Sequence, residues 1–195
     1  MNTRNNPLHL WVQAREMALM GYVTRIIILE TGLTDKQVRR IYRDLEDDGM
    51  DVSKNRTSNA IKSGASLITN QLSKLHASLM MGLYRRIGGR PVESSTCILA
   101  LDRAYRMYRA VISEIAPVSS PMDKEAFQMF TISDAWCLAS EMRSGEAMFE
   151  YCGDCGSDFF TSVNQATGIH CPHCFQPQNA KGGAMPAVEV FAEPA

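Results

Sequence analysis

Apolar residues return at three- and four-residue steps along the chain as far as Gly145, the period of helices packed through one face. Asn6-Pro7 opens the first helix, with proline where its missing N–H costs nothing; Leu8, Trp11 and Val12 follow at helical spacing. The pattern predicts a second helix over Val23 to Thr31, broken by Gly32. Thr34 stands three residues before Gln37, the pairing of a capping box. Val38, Ile41, Tyr42 and Leu45 then form one apolar stripe on a third helix, ended by Gly49. Asp51 to Ser58 is polar and reads as a loop. Ile61, Ala65, Ile68, Leu72, Leu75 and Leu79 predict one long amphipathic helix, and Arg85 to Pro91 a basic turn. Thr96 to Ala116 predicts a further helix, stopped by Pro117, and Asp123 to Met142 one or two more, closed by Gly145. Beyond that point short strands are expected around Phe149–Tyr151, Phe159–Val163 and Gly168–His170. The stretch after Phe175, rich in Gly, Ala and Pro, reads as a flexible tail.

The change of pattern coincides with four cysteines, Cys152, Cys155, Cys171 and Cys174, spaced C-x2-C-x15-C-x2-C. Each C-x-x-C pair makes a tight knuckle that aims two sulfurs at one ion, and the spacer lets the chain turn and return, so the spacing points to a tetrahedral zinc ribbon. Four thiolates fill four positions and leave none for water or substrate, which makes such a site structural rather than catalytic. Two disulfides would need an oxidising compartment. Met1 to Pro7 has no apolar signal core, so a cytoplasmic location is the expectation. His170 and His173 flank the second knuckle and read as surface histidines. Cys97 and Cys137, set among apolar neighbours, read as small core residues. The chain is thus expected to be mainly α: a helical region over 1–146, a four-cysteine zinc-ribbon-like module over 147–176 and a tail over 177–195.

Charge separates the two ends. Residues 1–109 hold 17 Lys+Arg against 10 Asp+Glu, and residues 110–195 hold 3 against 11, so a net −1 conceals a basic front and an acidic back. A basic front suits nucleic acid, although a dipolar surface that only aids solubility has the same signature. The most apolar stretch, Met17 to Leu29, is short and contains Arg25, so no membrane span is expected.

Thr24 to Arg43 fits a helix-turn-helix, with Gly32 in the turn and Leu33, Val38 and Ile41 at core positions. The other face of its second helix carries Lys36, Gln37, Arg39, Arg40 and Arg43, groups that grip phosphate, guanine or adenine. Two features are off-pattern: Ile28 stands where tight helix crossing usually takes a small residue, and Asp44, Glu46, Asp47 and Asp48 follow at once. An ordinary helical hairpin with a charged outer face remains open. An enzyme is not expected: no His-x-Glu accompanies the cysteines as in a zinc deaminase, and no glycine-rich phosphate loop or Ser-His-Asp arrangement stands out.

Ile41-Tyr-Arg-Asp-Leu45, Arg103-Ala-Tyr-Arg-Met-Tyr108, and Asp134-Ala-Trp-Cys-Leu138 followed by Ser144-Gly145 complete a pattern. Together with the four-cysteine site they resemble the FlhC family, the larger subunit of the bacterial flagellar master regulator. The proline-rich loop of that family is replaced here by a basic-polar Ser53 to Gly64, and its basic tail is reduced to Lys181. The resemblance implies Cys152, Cys155, Cys171 and Cys174 as ligands of a structural Zn2+. It also implies a heterohexamer with FlhD-like subunits that binds double-stranded DNA upstream of promoters and recruits RNA polymerase. The targets would be flagellar or conjugative-transfer genes. Arg85, Arg86 and Arg90 are further phosphate candidates, or a solvated turn. The alternative is a zinc-stabilised helical adaptor without direct DNA contacts.

Overall fold

The computed structural model describes residues 7–52, 61–115 and 129–174. It is mainly helical, with seven α-helices and one two-stranded sheet among the described residues. α1 (Pro7–Met20), α2 (Thr24–Thr31) and α3 (Asp35–Asp47) pack against one another. The apolar run from Met17 to Leu29 is divided between α1 and α2 by Gly21, whose φ of 94° belongs to the left-handed region. Gly32 ends α2 in the same region, with φ 69°. The predicted capping box forms: the Gln37 N–H donates to Thr34 Oγ1 at 3.4 Å, and the Thr34 N–H donates to Gln37 Oε1 at 2.8 Å. Val38, Ile41, Tyr42 and Leu45 are buried as one stripe.

The long helix expected from Ile61 to Leu79 does not form as one piece. α4 (Gly64–Leu67) is a single turn, and Asn70 caps a new helix, α5 (Gln71–Gly88), through reciprocal bonds with Ser73. Of the predicted stripe only Ile68 is fully buried. Leu72, Leu75 and Leu79 are half-buried, whereas Lys74, His76, Ala77, Ser78, Met80, Met81 and Tyr84 face inward. Polar residues occupy this face because partners distant in the chain satisfy them. His76 Nδ1 lies 2.6 Å from the Tyr108 hydroxyl, and the Ser78 hydroxyl accepts the Phe160 N–H at 3.0 Å. Arg85 to Pro91 is likewise no simple turn: Arg85 and Arg86 form the last turn of α5, and Arg90–Glu93 is a 3-10 segment.

α6 (Ile98–Ile115) packs along α5, and α7 (Ile132–Ser144), capped by Thr131 and Asp134, contacts both. Cys137 is buried as expected, but Cys97 is exposed just ahead of α6. The DNA-reading candidate is joined to this bundle by side chains. Tyr22 Oη donates to Asp102 at 2.7 Å, Trp136 Nε1 donates to Glu30 at 2.8 Å, and the Val23 N–H donates to the Ser133 hydroxyl at 3.0 Å. No helix among the described residues is long and apolar enough to cross a membrane. Residues 53–58 of the expected loop, Pro117, the first part of the Asp123–Met142 prediction and the 177–195 tail lie outside the described residues.

After Gly145, which ends α7 with φ 79°, the chain forms β1 (Ala147–Tyr151) and β2 (Asp158–Ser162), antiparallel with Phe149 opposite Phe160. The third expected strand, Gly168–His170, does not form. β2 lies on α5, and Ala147 and Phe160 belong to the same apolar core as the helices. Glu141 fastens the junction: its carboxylate accepts from the Gly64 N–H at 2.7 Å and the Ser162 hydroxyl at 2.6 Å. Gly64 has to lack a side chain, since a Cβ there would lie 2.6 Å from the Glu141 carboxylate.

Candidate metal centre and basic helix

The hairpin β1–β2 ends in the first knuckle. The Gly156 N–H donates to the Cys152 carbonyl at 2.9 Å, and the Cys152 N–H to the Ser157 carbonyl at 3.0 Å. This close turn uses the left-handed Gly156, φ 71°. The chain then returns past the end of α4, where the Ala166 N–H donates to the Ile68 carbonyl at 3.1 Å, and delivers the second knuckle. All four sulfurs converge within 4.8 Å of one another. Cys152 Sγ lies 3.8 Å from Cys174 Sγ, and Cys155 Sγ 3.7 Å from Cys171 Sγ. Those distances are far beyond a disulfide bond, which is about 2.05 Å. They match the edge of a tetrahedron, roughly 3.8 Å when four thiolates surround an ion at about 2.3 Å. The four cysteines can therefore hold a metal ion.

The thiols depend on one another. Cys155 is drawn down to about 6 by hydrogen bonds from Cys174 and then from Ser157. Cys174 is pushed up chiefly by the same bond, which keeps its proton on sulfur. Burial pushes Cys171 up. Four thiolates this close need a cation between them, and a dication supplies that charge. His170 and His173 are exposed beside a sulfur set that is already complete. Cys152, Cys171 and Phe159 form a small apolar cluster of their own, apart from the main core.

On α3, Lys36, Arg39, Arg40 and Arg43 are exposed. Two of them are paired within the helix: Arg39 Nε to Asp35 at 2.7 Å and Arg40 Nε to Asp44 at 3.9 Å. Gln37 is half-buried, and its carbonyl oxygen serves the capping box; a bidentate grip on adenine would need that oxygen free. Arg15 of α1 reaches Asp48 at 2.8 Å and neutralises one of the acids behind α3. Of the second basic group, Arg86 and Arg90 are exposed. Arg85 turns instead to the hairpin: its guanidinium lies 3.9 Å from the centre of the Phe149 ring and pairs with Asp158. The sequence reading missed Lys74 and Glu141, and it took Arg85 only for a phosphate candidate or part of a solvated turn. Only Lys74 offered a signal, as a lysine standing amid an apolar helical pattern.

A family model described as flagellar transcriptional activator (FlhC) matches residues 10–185 of the chain. A search of curated proteins finds no match.

Proposed function

The chain belongs to the FlhC family of flagellar transcriptional activators, and from that premise we propose that it is a DNA-binding activator subunit carrying a structural zinc ion. The observation that carries this is the family match over residues 10–185, in a family of transcriptional activators rather than of enzymes. Two features support the finer reading. One is the α2–Gly32–α3 unit, which offers Lys36, Arg39, Arg40 and Arg43 to solvent. The other is the sulfur tetrahedron, closed to substrate and suited to zinc.

In this reading α3 enters the major groove. Exposed ion pairs four residues apart on a helix contribute only about 0.3–0.5 kcal/mol each. Arg39 and Arg40 therefore exchange Asp35 and Asp44 for phosphate or guanine at small cost. Arg86 and Arg90 are additional phosphate contacts, and Arg85 is retained by the hairpin. The zinc clamps the two knuckles, and the chain works in a heterohexamer with FlhD-like subunits that recruits RNA polymerase to flagellar or conjugative-transfer promoters. The same intrahelical pairs, and the Gln37 oxygen held in the cap, favour the second reading, a zinc-stabilised adaptor whose α3 charges only solvate it.

Footprinting of the complex co-expressed with its FlhD-like subunit, over a salt series, decides between them. Each phosphate contact adds about 0.9 to the salt slope. Arg39→Ala combined with Arg40→Ala is expected to weaken binding and flatten that slope by about two units, leaving the protein complex intact. Unaltered affinity at moderate salt would remove these arginines from the interface, and no footprint at all would establish the adaptor.

A further inference from the structure

Lys74 lies in the first turn of α5 with 0 % of its surface exposed. Its ammonium donates to the Gly168 carbonyl at 2.7 Å and sits 5.0 Å from the centre of the Phe159 ring. Among the described residues no carboxylate pairs with it. A buried cation without a counter-charge is costly, and one carbonyl with one ring face is modest compensation. Both of its contacts belong to the metal module. Phe159 shares the small cluster with Cys152 and Cys171. Gly168 lies three residues before Cys171, and its carbonyl also accepts from Gln165 Nε2 at 3.0 Å. Four thiolates around a dication carry a net charge of about −2, and Cys152 and Cys171 are the buried pair of the four.

We propose that Lys74 is the counter-charge of the four-cysteine metal centre: its ammonium balances the anionic tetrathiolate, fixes the Gly168–Cys171 segment and makes the fastening of the module to α5 depend on metal. The proposal rests on the zinc reading above. Burial lowers the proton affinity of this amine, and Cys171 offsets only part of that effect.

The test uses the full-length chain loaded with one equivalent of zinc, and competition with a chromophoric chelator. Outer-shell partners of metal ligands are worth roughly 10–100-fold in affinity. Lys74→Met keeps length and apolar packing and is expected to bind zinc roughly 10–100-fold more weakly, whereas Lys74→Arg is expected to restore affinity to within a fewfold of the parent. A folded Lys74→Met protein with parental zinc affinity overturns the proposal while leaving the zinc site standing. A parent chain that takes up no zinc overturns both readings. Amine acetylation of the unaltered protein serves as a second measurement, whatever the variants' folding. Lys74 is expected to resist labelling in the zinc form and to react once chelator is added; equal labelling in the two states would overturn the proposal.

Discussion

In the α1–α3 unit, Ala14, Met17, Ile26, Ile27, Val38 and Leu45 are all inaccessible to solvent, and the work of holding the fold is divided among many apolar contacts. In the cysteine module only Phe159 joins Cys152 and Cys171 in a cluster outside the main core; the hairpin is fastened to α5 through Phe160 in the shared core and through polar contacts from Lys74, Arg85 and the Ser78 hydroxyl. The first region loses stability in small steps. The knuckles of the second are expected to depend on a bound ion, since so small a stretch cannot bury enough apolar surface to order itself.

Replacing a ligand gives the largest contrast. Cys152→Ser or Cys174→Ser is expected to abolish metal binding and unfold residues 152–174, because the binding energy of a structural zinc, about 10–16 kcal/mol in small peptides, is also folding energy. Amide exchange should rise across the knuckles and stay slow in α1–α3. Normal metal content with unchanged melting would break the comparison, as would equal loss of protection in α3. Leu45→Ala comes next. The site is fully enclosed, so a loss of about 2–5 kcal/mol is expected in denaturant titration, with metal content unchanged. The smallest effect sharpens the picture further. Thr34→Ala removes one half of the capping box and is expected to cost about 1 kcal/mol, read as a shift in the same titration, again without altering zinc uptake.

The two regions also differ in how openly they are written in the chain. α2 and α3 could be placed from Gly32, Thr34 and Gln37 because caps and left-handed turns act between residues a few positions apart. The cysteine cluster was legible for the same reason: each knuckle is local, and the sulfurs converge as the spacing requires. α5 was misread because its inward face is defined by partners far along the chain. Lys74, Ser78 and Arg85 meet Gly168, Phe160 and Asp158. A helical pattern that counts leucines discards such residues as surface, and so the break at Asn70 and the inward lysine both went unseen. The joint at Glu141 was hidden too, since nothing near Gly64 in the sequence announces a carboxylate from α7.

Of the two tryptophans in the chain, Trp136 spans the gap between α7 and α2, with its indole N–H on the Glu30 carboxylate. α7 runs directly into the hairpin that carries the sulfurs. With Trp11→Phe in place, the remaining indole would be an intrinsic fluorophore mounted on the seam between the two ends of the molecule. Its emission would redden whenever that seam opened to water, so chelator or added DNA can be titrated against one optical signal without attaching a dye.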